Sequence, residues 1–149
     1  MMSIEHLCVG DLMHAGVRTV TEDALLLDAA RLMHDLGVSS LVVEQESASG
    51  ALGILTRKDI VEALCSEMPG MAPLRVRDVM TKPAIYVTPE LAIRHCMRLM
   101  RMAGIRRAPV VKNGRLVGVL SNTDVFRWLV ANDIPTGDAP IVTGEPEAP

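Results

Sequence analysis

One short pattern of residue types occurs twice in this chain of 149 residues, and its chemistry suits an anion. The first copy reads GILTRKD and the second reads GVLSNTD. Each copy passes from apolar residues to a hydroxyl residue, Thr56 or Ser121, and reaches an aspartate, Asp59 or Asp124, three positions later. This spacing is typical of a helix start, where hydroxyl and carboxylate bond to free backbone N–H groups.

The same helix start has the groups that a nucleotide needs. Free N–H groups and a hydroxyl suit a phosphate, and an acid one turn into the helix can accept the two hydrogen bonds of a ribose diol. Glutamate is the usual reciprocal cap, so the repeated aspartate favours a binding role beside the capping role. Three arginines near the pattern either neutralise phosphate or serve as exposed charge: Arg57, Arg106 and Arg107.

The two patterns belong to an internal repeat. A shift of 67 residues places Asp11 on Asp78, and after a loop the shift becomes 65. The change falls between the predicted strands, where residues 44–50 form a longer connection than residues 112–115. A gap confined to a turn is expected of two copies of one fold.

Each copy has the hydrophobic pattern of a β-α-β-β-α unit. Amphipathic helices follow short extended segments and end at Gly37 and Gly104, where a left-handed cap is expected. Asn113-Gly114 predicts a hairpin. Strands are predicted at 17–20, 41–43, 52–55, 84–87, 108–111 and 116–120, and second helices at 57–67 and 123–131. The fold class is therefore α/β (α+β), with two units packed in pseudo-twofold symmetry and clefts at their junction.

The repeat also predicts the domain boundaries. The first unit is expected at residues 9–68 and the second at residues 76–131. Residues 132–149 are rich in proline, glycine and acid with little to bury, which predicts a disordered acidic tail.

Charge and composition narrow the function classes. Residues 1–70 carry a net charge of −7 and residues 71–131 carry +8, so an anion should prefer the second half. Three separated cysteines and four histidines show no metal-ligand spacing, and no catalytic motif occurs. No segment has the length and apolarity of a membrane span. These features predict a cytoplasmic, non-catalytic protein without a metal site or a membrane partner.

The repeated pattern, the D-x-M openings at 11–13 and 78–80, and the strand containing Pro109 resemble tandem CBS domains, a Bateman module. The resemblance covers residues 9–131. It implies that the two units pack through their sheets and that the clefts bind an adenosine-containing ligand. We expect AMP, ADP or ATP, with S-adenosylmethionine or a dinucleotide as the alternative.

The resemblance also implies residue roles. Asp59 and Asp124 would hold ribose hydroxyls, and Thr56 and Ser121 would contact phosphate. The segments that would line the base contain Val38, Leu41, Ile105, Ala108 and Pro109. We expect the cleft with Ser121 and Asp124 to bind more tightly, because its half is basic and contains Arg106, Arg107 and Pro109.

Assembly and other functions complete the expectations. Apolar residues on the second helices predict a head-to-tail homodimer through Ile60, Leu64, Met68, Val125, Trp128 and Leu129, with Trp128 as the main anchor. Nucleic-acid binding by the basic half is the alternative of another class, although scarce aromatics argue against it. An interaction scaffold with empty clefts is the third possibility. The regulated protein partner is not identified by the sequence.

Overall fold

The computed structural model describes residues 3–47, 50–66 and 73–132. The predicted tail beyond residue 132 and the predicted interface residue Met68 lie outside these ranges. The mixed helix and strand architecture matches the predicted fold class. The helices are α1 Val9–Leu12, α2 Leu26–Leu36, α3 Arg57–Leu64, α4 Val76–Val79, α5 Ile93–Ala103 and α6 Asn122–Ala131, and the strands are β1 Thr19–Val20, β2 Ser40–Val43, β3 Gly53–Thr56, β4 Arg107–Lys112 and β5 Arg115–Ser121.

The first unit is a three-stranded sheet in the order β1-β2-β3. Strands β1 and β2 are parallel because the amphipathic helix α2 crosses between them, whereas β2 and β3 are antiparallel. Helix α2 ends at Gly37, whose φ of 66° is the left-handed conformation that the sequence predicts. The step from β3 into α3 occurs at Thr56, which places the repeated pattern at one edge of the sheet.

The second unit is built on the β4–β5 hairpin. Its turn is Asn113-Gly114, with φ values of 51° and 74°, as the sequence predicts. The strand predicted at 84–87 is reduced to one parallel bridge between Val87 and Val110. Pro89 follows two residues later, and because it has no N–H it cannot extend the ladder.

The opening segments of the two copies are exchanged between the units. Val9 donates its N–H to the carbonyl of Leu91 (2.8 Å), so α1 packs on the second unit. In the same way, the N–H of Val76 donates to the carbonyl of Ala24 (2.9 Å), so α4 packs on the first unit. Both valines are fully buried. The repeat alone does not predict this exchange, which ties the units together.

The exchange explains the glycine that begins each repeated pattern. His14 and Val119 exchange two backbone hydrogen bonds of 3.0 Å, so the opening segment crosses directly over β5. A Cβ at Gly118 would lie 2.8 Å from the carbonyl oxygen of His14 and 2.9 Å from Sδ of Met13. Only glycine permits this approach.

Two hydrophobic cores result, and each contains residues of both copies. The core of the first unit includes Val76, and that of the second includes Leu7 and Val9. The other buried members are apolar residues, most of them on the helices and strands of the same unit. Because each core needs the other copy's opening segment, we expect the units to fold together.

The predicted interface residues on α3 and α6 are divided between the cores and the surface. Ile60 and Val125 are buried in their own cores, and Trp128 and Leu129 are half-buried against the second core. Ile60 and Val125 therefore belong to the cores, and the role of Trp128 as the main anchor of a dimer stays a prediction. The predicted interface residue Leu64 is exposed, and the helical period also turns three further apolar residues outward: Val61, Phe126 and Val130.

Candidate functional site

The two repeated patterns form reciprocal caps at helix starts. The hydroxyl of Thr56 accepts a hydrogen bond from the N–H of Asp59 (3.1 Å), and the Asp59 carboxylate accepts from the N–H of Thr56 (3.2 Å). Ser121 and Asp124 repeat this arrangement, and the Ser121 hydroxyl also donates to Oδ2 of Asp124 (2.9 Å). The capping role is therefore real at both positions, and it holds each carboxylate in a fixed orientation.

The start of α6 opens into a cleft between the two units, which we name the Asp124 cleft. Its volume is about 630 Å³, within the range of small-molecule sites. Six of the residues predicted from the sequence line it: Val38, Leu41, Arg57, Arg107, Ser121 and Asp124. Residues that the sequence analysis did not single out line it as well, and they include His14, Val17, Arg18, Thr123 and Arg127.

His14 is the closest neighbour of the Asp124 carboxylate in this cleft. Its Nε2 lies 2.5 Å from Oδ1 of Asp124. The His14 side chain is 68% exposed and that of Asp124 is 7% exposed. Oδ2 serves the cap while Oδ1 faces the cleft and His14. No sequence signal marked His14, because its partner in the repeat is Thr81 and the pair forms only through the exchange of opening segments.

Four arginines make the cleft cationic. Arg18 and Arg57 come from the first unit, and Arg107 and Arg127 come from the second. Burial lowers the pKa of Arg107 from its ordinary value, the Asp124 carboxylate opposes that change, and the nearby Arg57 adds to it. Within residues 3–47, 50–66 and 73–132, none of the four forms an ion pair with a carboxylate.

The other predicted site residues lie outside this lining. Thr56 and Asp59 cap α3, and Ile105 precedes β4. Ala108 and Pro109 are buried, whereas Arg106 is exposed. Arg106 and Pro109, which were predicted to share a cleft with Asp124, do not line the Asp124 cleft.

The repeat explains why Arg106 and Pro109 lie outside this lining. The Asp124 cleft takes residues 38–42 from the first unit. Under the repeat, residues 105–109 correspond to that segment, and Asp59 corresponds to Asp124. The repeat therefore relates residues 105–109 to the start of α3, although Arg107 of that segment lines the Asp124 cleft. The assignment by halves of the chain fails because the cleft is built across the boundary between the units.

Comparison with known proteins identifies the repeated unit. A family profile described as "CBS domain" matches residues 9–66 and 76–131. The chain is 30% identical over 127 residues to an uncharacterized protein of Methanopyrus kandleri, an alignment that covers 83% of this chain and 64% of that protein. Against three such curated relatives, the chain spans 49% to 64% of their length.

Solved structures share the fold. The hexameric CBS-CP12 protein from bloom-forming cyanobacteria superimposes with a TM-score of 0.76 at 31% identity, covering 89% of this chain and 77% of that one. CBSX2 in complex with AMP superimposes with a TM-score of 0.73 at 22% identity, covering 84% and 97% respectively. At that identity the second comparison shows the fold alone. Among the described residues, no helix reaches the length and apolarity required to cross a membrane.

Proposed function

Because the chain belongs to the CBS-domain family, we propose that it is a regulatory module that binds AMP, ADP or ATP in the Asp124 cleft and catalyses no reaction. The observation that carries this proposal is the convergence of a helix start, a buried carboxylate and unpaired arginines in one cleft of nucleotide size. CBSX2, which shares this fold, is solved in complex with AMP, and AMP is therefore among the first ligands to test.

Each part of a nucleotide has a matching group in the cleft. The N–H groups and hydroxyls at the start of α6 suit a phosphate. Oδ1 of Asp124 suits a ribose hydroxyl, provided that His14 moves aside or shares it. Val17, Val38 and Leu41 supply apolar surface for the base. Ligand specificity in such a site comes from few polar groups on an apolar lining.

A thermal-shift panel tests the ligand class. The chain is heated with AMP, ADP, ATP, S-adenosylmethionine and NAD, with GMP and CMP as controls. A ligand at a hundredfold excess over its Kd stabilises the native state by about 2.7 kcal/mol. Adenine nucleotides should raise Tm and the two controls should not. No shift with any adenosine ligand would reject the proposal and favour a scaffold without ligand.

The same chain tests the alternative of nucleic-acid binding. Its basic second half would bind DNA or RNA with a steep dependence on salt. We expect no such binding below the micromolar range at physiological salt, since the four cleft arginines face a pocket of small-molecule size. Salt-dependent binding of an oligonucleotide, unaffected by AMP, would favour the alternative.

We also propose a homodimer. The outward residues Val61 and Leu64 on α3 and Phe126 and Val130 on α6 are apolar and exposed, Phe126 by 64%. The opposite charges of the two halves favour head-to-tail pairing, in which unlike halves meet. Light scattering at tens of micromolar should give twice the chain mass of 16.1 kDa. A monomer would reject the dimer, and contacts between like units would reject only the orientation.

The cellular setting proposed from these features is the cytoplasm. Cys8, Cys65 and Cys96 are free thiols in the structure. Free thiols persist in a reducing compartment. The protein partner that such a module regulates is not identified by these features. The nucleotide-bound protein should be used as the bait to capture it.

A further inference from the structure

The cations of the Asp124 cleft have no counterparts at the equivalent positions of the repeat. The two offsets of the repeat, 67 and 65 residues, pair every cleft residue with one in the other copy. At the positions equivalent to Arg18, Arg57, Arg107 and Arg127, the chain has Ile85, Asn122, Ser40 and Glu62. The position equivalent to His14 is Thr81. The equivalent site draws its positive charge from other positions, because the lining residues Ala15, Ser39 and Thr123 correspond to Lys82, Arg106 and Lys58.

The convergence of these four arginines does not follow from the net charges of the two halves. The first half is acidic, and yet Arg18 and Arg57 reach the cleft from it. The second half contributes Arg107 and Arg127. Four positive charges thus converge only when the two units pack together, and the cleft is a property of the pair.

Within the cleft the positive charge is not compensated. Asp124 is the only acidic residue in its lining among the described residues. Its carboxylate is already engaged by the cap through Oδ2 and by His14 through Oδ1. Like charges in one concave site repel, and low-dielectric walls strengthen both that repulsion and the attraction for an anion. A bound polyanion would remove this repulsion.

The candidate ligands differ in the charge that they would bring into this cleft. The phosphate chain of ATP carries more negative charge than that of ADP, and AMP has a single phosphate. S-adenosylmethionine has a sulfonium cation where a nucleotide has phosphate. Arginine suits a phosphate chain because its planar fork pairs two oxygens at once. Four arginines exceed what one phosphate can engage, since steric room around a single phosphate limits such forked contacts.

We infer that the Asp124 cleft selects an adenine nucleotide with two or more phosphates, ADP or ATP, over AMP and over S-adenosylmethionine, through Arg18, Arg57, Arg107 and Arg127. The inference rests on the proposed function and names its ligand more narrowly. The module then responds to the phosphorylation state of the adenine nucleotide rather than to adenosine as such.

Isothermal titration of the full chain with ATP, ADP, AMP, S-adenosylmethionine and inorganic triphosphate tests this selection, in buffer without divalent cations. ATP should bind about tenfold or more tightly than AMP, and this ratio should fall as ionic strength rises. The variant Arg57→Gln/Arg127→Gln should lose about tenfold in ATP affinity and less than about threefold in AMP affinity. Both positions are exposed, so the variant should retain its fold.

Arg115→Gln is the matched control, since Arg115 is exposed at the β4–β5 hairpin and does not line the cleft. It removes a positive charge and should leave the ratio of ATP to AMP affinity unchanged. If AMP or S-adenosylmethionine binds as tightly as ATP, the selection is refuted while the proposed function stands. If no adenosine ligand binds, or inorganic triphosphate binds as tightly as ATP, the proposed function is refuted together with the inference.

Discussion

Nε2 of His14 lies 2.5 Å from Oδ1 of Asp124, across the boundary between the two units and 110 residues apart in the chain. Asp124 is nearly buried and fixed by its cap, whereas His14 is exposed. The pair therefore has one rigid partner and one partner that solvent surrounds. A ligand that needs Oδ1 must compete with His14 or recruit it.

Removing the His14 side chain should free Oδ1 for a ribose hydroxyl. We expect His14→Ala to tighten nucleotide binding by about threefold, because the ligand no longer has to displace the imidazole. Stability should change by less than about 1 kcal/mol, since pairs with an exposed partner contribute little. Calorimetric titration measures the affinity and thermal unfolding measures the stability. A loss of affinity would show instead that His14 contacts the ligand.

Asp124 and Asp59 offer a matched comparison, because both cap a helix in the same way. Each change to alanine should cost about 1 kcal/mol of stability through the lost cap. Only Asp124→Ala should also lose ligand hydrogen bonds, at about 1.5–3 kcal/mol each, which weakens nucleotide binding by at least about tenfold. Calorimetric titration of both variants with nucleotide measures the two losses of affinity. A greater loss of affinity with Asp59→Ala would contradict the assignment of the ligand to the Asp124 cleft.

Gly118 should tolerate no side chain. The carbonyl oxygen of His14 lies 2.8 Å from the position of its Cβ, and backbone cannot yield as a side chain does. Gly118→Ala should destabilise the protein by about 1–3 kcal/mol. At Gly53 the nearest atom is the flexible Met80 Sδ at 3.1 Å, so Gly53→Ala should cost less. Chemical denaturation of the two variants compares them, and equal losses would argue against the crossing at β5.

The ionisation of Glu22 should make the free energy of unfolding depend on pH in the acidic range. Hydrogen bonds from the Glu46 carboxyl and from Lys82 lower the pKa of Glu22, and the same Glu22 carboxylate raises the pKa of Glu46. A lowered folded pKa contributes stability that is present above the unfolded pKa and is lost as pH falls through the folded pKa. Glu46 acts in the opposite sense, and its contribution is lost as pH rises through its raised pKa.

The variant Lys82→Gln tests the Glu22 pair directly. Nζ of Lys82 lies 3.0 Å from Oε1 of Glu22, whose side chain is 6% exposed. The variant should lower Tm at neutral pH, and its difference from the wild type should shrink as Glu22 is protonated in acid. Lys58→Gln is the control, because its ion pair with Glu62 is exposed on both sides. An equal effect of the two variants would contradict the role of Lys82.

Variants at Phe126 and Trp128, which both lie on α6, should distinguish an effect on assembly from an effect on folding. Phe126 is 64% exposed on α6, whereas Trp128 packs against the core of the second unit. Phe126→Asp should convert the proposed dimer to a monomer without a large change in Tm. Trp128→Ala should lower stability by about 2 kcal/mol or more through the lost packing. Light scattering and thermal unfolding measure the two effects, and a dimer that survives Phe126→Asp would move the interface elsewhere.

The local features of this protein could be predicted from its sequence because each depends on a few neighbouring residues. The caps at Thr56 and Ser121, the left-handed Gly37 and the Asn113-Gly114 turn are formed by side chains and dihedrals within one turn of the backbone. The helical period and the repeat likewise predict which elements follow one another. These signals need no knowledge of distant contacts.

Which unit each segment packs on was decided only by the tertiary structure. The exchange of opening segments brings His14 to Asp124, and the packing of the two units brings Arg18 and Arg57 to Arg107. No local hydrogen bond or hydrophobic period predicts these contacts between distant residues. They depend on how each core takes a buried valine from the other copy. The direction in which α6 presents Phe126 was also set by packing, since several faces of a short apolar helix compete for the same core.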